Sequence, residues 1–293
     1  MTPALARALE AALGARAERH RPLGGGSINQ AFAVSLADGR AVFVKTRADA
    51  GRDTFPIEAE GLSWLHGGLA GAREASLFVP EVLALLDEPP ALVLAAFEPG
   101  PRTTASDEAL GRGLARLHAS LTTGARFGLH RANDLATIRL ENAFTEDWPT
   151  FYAERRLLPL LARAERRGLA TTRMRRGLER VIARLPELAG PPERAARLHG
   201  DLWAGNAAVD RAGRPVIFDP AVFAGHREID LAMMTLFGGF SERVLCAYDE
   251  LWPRAPGHAE RLPLYLLLPL LAHVVLFGAA YVGQVEAALD GLG

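Results

Sequence analysis

The segment 199–221 constrains this chain more than any other. It reads His199-Gly200-Asp201-Leu202-Trp203-Ala204-Gly205-Asn206, then a compact hairpin (207–210, a turn at 211–214, and 215–218), then Asp219-Pro220-Ala221. A loop, a hairpin and a second loop bring two carboxylates and one amide oxygen together. Mg2+ favours hard oxygen ligands and leaves part of its shell to phosphate and water. Asn206 and Asp219 supply such ligands, and Asp201 is left to meet the proton of an attacking hydroxyl. This is the division of labour of phosphoryl transfer: an Asp in the acceptor loop, an Asn five residues on, and a metal-binding Asp beyond a hairpin. Singly, each residue has a structural explanation: Asp201 caps a helix, Asn206 holds a left-handed turn, Asp219-Pro220 ends a strand. Their joint spacing, downstream of a Gly-rich hairpin, a lysine and a helical glutamate, points to chemistry.

Lys45 is the only lysine among 33 basic residues; all the others are arginine. A position that keeps lysine against this drift calls for a compact ammonium rather than a planar fork. The 34 acidic residues bring the net charge to −1, which gives no broad field for nucleic acid or acidic lipid. The single cysteine, Cys246, forms no internal disulfide or thiolate zinc site and points to a cytoplasmic protein.

Along the chain, Leu5, Leu9 and Leu13 recur every four residues, marking an amphipathic helix rather than a targeting sequence. Gly24-Gly25-Gly26-Ser27 leads into a strand at 30–36. Asp38-Gly39 turns it back, and 41–45 returns as its partner. A helix follows, with Thr54 as cap and Pro56 in its first turn; Glu58, Leu62 and Leu65 share one face. A buried strand at 91–97 stops at a hinge, Glu98-Pro99-Gly100-Pro101. From 107 to 188 the pattern is mostly helical, broken near 127–133 and at Trp148-Pro149. Two short strands fall between 207 and 218, and helices run to the end. The apolar stretch 262–282 is long enough to span a bilayer, but its Pro263, Pro269, His273 and Gly278 favour a buried helix pair. The expected fold is α+β: a small antiparallel-sheet lobe, 1–97, joined to a larger, mainly helical lobe, 98–293.

The sequence resembles the fructosamine kinase (ketosamine-3-kinase) family of protein-kinase-like phosphotransferases, which also include aminoglycoside and choline kinases. The resemblance rests on Gly24-Gly25-Gly26-Ser27-Ile28-Asn29, Lys45, Phe55-x-x-Glu58, Leu117-His118 and the block 199–206. It continues through Asp219-Pro220-Ala221, Gly225-His226-Arg227-Glu228-x-Asp230-Leu231-Ala232-Met233, Leu236-Phe237-Gly238-Gly239-Phe240, Arg261, Tyr265 and Phe277-Gly278. It implies that Gly24, Gly25, Gly26 and Ser27 cover the ATP phosphates and that Lys45, held by Glu58, contacts them; Glu60 is the competing partner. Leu94, Ala95 and Ala96 would offer backbone groups to adenine, although Ala95 stands where the family often carries an acid. Asp201 becomes the general base, and Asn206 and Asp219 hold Mg2+. Trp203 forms a wall for the acceptor, His226 and Glu228 reach it, and Asp230 braces the catalytic loop. The implied activity is ATP-dependent phosphorylation of a ketosamine, free or on a glycated protein amine, at its third carbon, in deglycation repair by a monomer, with a dimer as alternative.

Other chemistries fit less well. There is no Gly-x-Ser-x-Gly elbow and no His-Glu-x-x-His, and His118 reads as a satisfied core histidine. Leu202-Trp203 occupies the place of a peptide-kinase lysine. A kinase for another hydroxylated amine, or a catalytically silent nucleotide-binding regulator, remains as an alternative.

Overall fold

The computed structural model describes residues 1–24, 29–69 and 77–293. Helix α1 (Pro3–Leu13) starts at Thr2, whose hydroxyl accepts from the Leu5 N–H. Strands β1 (Ala17–Leu23), β2 (Gln30–Leu36) and β3 (Ala41–Thr46) follow, then helix α2 (Thr54–Leu69) and strands β4 (Val82–Leu86) and β5 (Ala91–Ala95). The five strands form one antiparallel sheet in the order β1-β2-β3-β5-β4.

Period-two alternation gives this sheet two apolar faces. Val42, Val44, Ala91 and Val93 join Leu5 and Leu9 of α1 on one side; Phe43, Leu92 and Leu94 pack with Phe55, Leu62 and Leu65 of α2 on the other. Each buried leucine or valine contributes about 1.5–3 kcal/mol. The same alternation turns Lys45 toward α2, away from the Val42–Val44 face.

Beyond β5 the chain is mainly helical. It runs through α3 (Thr104–His118), the hairpin β6 (Asn133–Leu135) and β7 (Ile138–Leu140), and α4 (Trp148–Tyr152), which passes through a single π turn into α5 (Leu158–Arg166). Then come α6 (Thr172–Ala183), α7 (Leu185–Leu188), β8 (Ala196–Leu198), β9 (Ala207–Val209), β10 (Pro215–Ile217) and β11 (Phe223–Gly225). Helices α8 (Glu228–Leu236), α9 (Glu242–Asp249), α10 (His258–Phe277) and α11 (Val282–Asp290) complete it. β8 pairs with β11, and β9 with β10.

Two expectations are corrected here. Trp148-Pro149 does not break a helix but begins one: Asp147 accepts from the Thr150 N–H at 2.8 Å, and proline is tolerated in a first turn. The stretch 262–282 is not a helix pair but most of one helix and the turn after it. Pro263 and Pro269 lie inside the continuous α10, and the chain breaks only at Gly278. Helix α10 has the length and apolarity to cross a membrane, yet Leu264, Leu267, Leu268, Leu271 and Val274 are buried in the helical core.

The segment joining the sheet to α3 is stitched to the β9–β10 hairpin. The Arg211 N–H donates to the Glu98 carbonyl and the Gly100 N–H to the Val209 carbonyl, both at 2.8 Å. Phe78 and Pro215 are bonded in the same way. One core cluster holds Leu92 and Leu94 together with Leu114, Leu202 and Ile217, so sheet and helices share apolar packing.

Candidate active site

Sheet, helix and hairpin meet at Lys45. Its Nζ donates to Glu58 Oε1 and Oε2 at 2.9 and 2.8 Å, and to Asp219 Oδ1 at 2.9 Å. Burial alone would push the ammonium down, but the two carboxylates outweigh it and hold its pKa above the ordinary lysine value. Burial also raises Glu58 against the pull of Lys45. Glu60, the competing partner, lies elsewhere and pairs with His130 at 2.5 Å and Arg131 at 2.8 Å.

Beside this ion pair sits the loop 199–206, held from behind. Asp230, fully buried on α8, accepts from the His199 N–H (2.7 Å) and the Gly200 N–H (2.8 Å), and contacts His118 Nε2 at 3.1 Å. Because the Asp230 carboxylate takes the Nε2–H of His118, His118 Nδ1 accepts from the Tyr248 hydroxyl at 2.9 Å. Both residues therefore have the bracing and core roles their sequence contexts suggested. Gly200 is required: its φ is +83°, and a Cβ there would lie 2.0 Å from the Ala221 carbonyl oxygen. His199 Nε2 bonds the Phe218 carbonyl at 3.0 Å, and its carbonyl accepts from Ala221, tying this loop to the one carrying Asp219. Asp219 itself is left-handed, with φ +57°.

Asn206 Nδ2 donates to the Asp201 carbonyl (2.9 Å), to Asp201 Oδ2 (3.0 Å) and to the Asp219 carbonyl (3.4 Å). Burial pushes the Asp201 carboxyl up to about 7; the Asn206 bond opposes this, and the nearby charges of Asp219 and Asp230 add to it. A carboxylate poised near neutrality suits proton acceptance.

The donor set also fits a hard cation. Asn206 commits its amide N–H groups internally, which leaves its Oδ1 as acceptor; the second ligand oxygen is the Asp219 carboxylate, whose side chain is 38% exposed. Among the described residues no three His, Cys, Asp or Glu side chains form a metal cluster. Two protein oxygens with phosphate and water completing the shell match a hard, nucleotide-bound ion.

Other assigned residues fare differently. Gly24 is exposed, whereas Gly25, Gly26 and Ser27 lie outside the described residues. Leu94 is buried in the sheet. The Ala95 N–H donates to the Glu81 carbonyl and the Ala96 N–H to the Ala41 carbonyl, so two of the backbone groups assigned to adenine are engaged within the fold. Trp203 is half-buried on the loop, edge-on to Phe237 at 5.9 Å.

His226 and Glu228 are corrected: neither reaches an acceptor. His226 is 3% exposed, stacks on Tyr265 at 4.9 Å, and burial, helped by Arg227 and Arg261, lowers its pKa to about 3. Glu228 is 4% exposed and accepts from Arg261 Nε at 3.0 Å and Nη2 at 2.5 Å. The signal that would have found this pairing is Arg261, an arginine within an apolar helix that needs a buried acid. Glu228→Gln should lower stability by on the order of 3–5 kcal/mol, because it leaves Arg261 buried without its countercharge. The acceptor KM should stay unchanged; a raised KM with unaltered melting would return Glu228 to the substrate site.

The resemblance to known proteins runs the length of the chain. The family model described as fructosamine kinase matches residues 1–292. The chain belongs to the fructosamine kinase family. A "Probable ketoamine kinase" of Thermus thermophilus is 40% identical over 272 residues, covering 92% of each chain. The chloroplastic protein-ribulosamine 3-kinase of Oryza sativa subsp. japonica is 30% identical over 268 residues, 92% of this chain and 77% of that one. The crystal structure of a "putative fructosamine-3-kinase" from Thermobifida fusca superposes with a TM-score of 0.89 at 36% identity and covers 99% of both chains.

Proposed function

We propose that this protein transfers the γ-phosphoryl group of ATP to a ketosamine hydroxyl, at the third carbon of the sugar. Phosphorylation there labilises the adduct and restores the free amine, which makes the reaction a deglycation step. The observation that carries this reading is the convergence on Lys45 of Glu58 and Asp219, both within 2.9 Å, beside hydrogen-bonded Asp201 and Asn206.

In this reading the Lys45 ammonium contacts the α- and β-phosphates and Glu58 keeps it in place. Asp201 takes the proton as the acceptor oxygen attacks the γ-phosphorus; the new P–O bond forms as the bond to ADP breaks. Asn206 Oδ1 and Asp219 hold Mg2+, which when bound neutralises charge on the phosphate oxygens. Gly24, Gly25, Gly26 and Ser27 are the residues assigned to the ATP phosphates, and Trp203 walls the acceptor. An unpaired, exposed Cys246 fits a reducing, cytoplasmic setting.

The aminoglycoside and choline alternatives weigh less because the family match runs end to end. A silent regulator weighs less because every group the chemistry needs is present. The test is turnover of ATP with Mg2+ against ribulosamine, fructosamine and an aminoglycoside, with the product located by phosphorus NMR. Ketosamine turnover with phosphate on the third carbon is expected. Preference for the aminoglycoside removes the ketosamine assignment, and nucleotide binding without any turnover establishes the silent regulator.

A further inference from the structure

A ladder of aromatic rings runs outward from the catalytic loop. Trp203, two residues beyond Asp201, meets Phe237 at 5.9 Å; Phe237 meets His273 at 5.2 Å; His273 meets Phe277 at 5.2 Å and Tyr281 at 4.8 Å. Three separate elements contribute: the catalytic loop, the C-terminal end of α8, and α10 with the turn after it. The α8 end is seated on the loop by Gly239, where a Cβ would fall 2.6 Å from the Ala204 methyl; its φ is +89°. Most apolar side chains of α10 are buried, yet Phe277 is 55% exposed, and Phe237 is 47% exposed. Exposed side chains this large, joined through His273 into one patch, are rarely left on a surface without an occupant.

His273 gives the ladder its chemical character. Its Nδ1–H donates to the Pro269 carbonyl at 2.6 Å, so in the neutral ring Nε2 carries the lone pair. Burial lowers its pKa, which keeps it neutral. Aromatic faces with one neutral acceptor among them attract an ammonium on an alkyl chain: the rings offer negative faces, the methylenes bury against them, and Nε2 receives an N–H.

We propose that these rings are the subsite for the amine-bearing arm of the acceptor, with the ketosamine ammonium against the solvent side of the touching Phe237–His273 pair and the alkyl chain of a glycated lysine along Phe277 and Tyr281. This rests on the ketosamine reading above and extends it: the enzyme distinguishes its acceptors by what the sugar is attached to.

The test compares kcat/KM for two acceptors with the same sugar, a peptide carrying the ketosamine on lysine and the ketosamine of methylamine. Phe277→Ala should lower the peptide-to-methylamine ratio by about three- to twentyfold, the range of one or two methylenes losing their apolar cover. Phe277→Tyr should restore it, and Leu158→Ala, an exposed leucine elsewhere, should leave it unchanged. An unchanged ratio in Phe277→Ala overturns the subsite, whether both activities fall together or neither does. So does a concentration-dependent dimer lost in Phe277→Ala with the ratio intact, since a second copy would then cover the rings. Failure of the wild-type chain to phosphorylate either acceptor removes the ketosamine reading itself, a different result from equal activity on both.

Discussion

Asp201→Asn is expected to cut kcat for acceptor phosphorylation by about 10²- to 10⁴-fold, the range of a positioned general base, with nucleotide binding retained. The separation follows from the local bonds. Asn206 donates to the Asp201 carbonyl and to Oδ2, and an asparagine amide oxygen in the same place keeps both contacts. Only proton acceptance is lost.

The same variant has a defined sign in stability, measured without nucleotide or metal. The Asp201 pKa is about 7 in the fold against 3.8 for the free side chain. The folded state therefore holds an extra proton between those values, and stability is lost as pH rises through that window. A shift of about three units sets a ceiling of about 4 kcal/mol. Asparagine carries no charge to bury. Thermal unfolding should find Asp201→Asn more stable than wild type at pH 8, by about 2–4 °C per kcal/mol, with the difference gone near pH 4. An inactive variant that melts lower at pH 8 would mark Asp201 as a structural ion-pair member instead.

Lys45→Met is expected to lower kcat/KM for ATP by about 10²- to 10³-fold, comparable to deleting one preorganised donor from a charge-stabilising site. It should also destabilise the fold by about 3 kcal/mol, because Glu58 then stays buried with Asp219 nearby and no countercharge. Adding Glu58→Leu should recover most of the stability and none of the activity, which separates the structural effect from the catalytic one. Lys45→Arg should not rescue: three carboxylate oxygens at 2.8–2.9 Å enclose a point charge, and a planar guanidinium does not fit among them. Wild-type KM for ATP in Lys45→Arg would refute this account of the lone lysine.

Local patterning made much of this legible. Alternation in β3, the Asp38-Gly39 turn and the shared face of Glu58, Leu62 and Leu65 placed Lys45 and its partner before any coordinates, because each is a short-range consequence of strand or helix period. β1 was not legible. Its Glu18, Arg19, His20 and Arg21 stay exposed, and it is held by backbone pairing to β2 rather than by an apolar stripe. β8 and β11 were missed because, unlike the equally short β9 and β10, they pair across a long stretch of chain with no local turn to mark them. His226 and Glu228 were misplaced for a different reason. Their closeness in sequence to catalytic residues says nothing about which way they face, and that is decided by Tyr265 for His226 and by Arg261, 33 positions away, for Glu228.

The bonds between the interlobe segment and the β9–β10 hairpin bear on how such enzymes can be recombined. The hairpin delivers Asp219, yet it is sewn to Phe78, Glu98 and Gly100 on the nucleotide side. A chimaera spliced at residue 98 would join one parent's sheet to another parent's hairpin and break that stitching. The exchangeable module is discontinuous, and a graft of new nucleotide specificity has to carry 207–218 along with the first lobe.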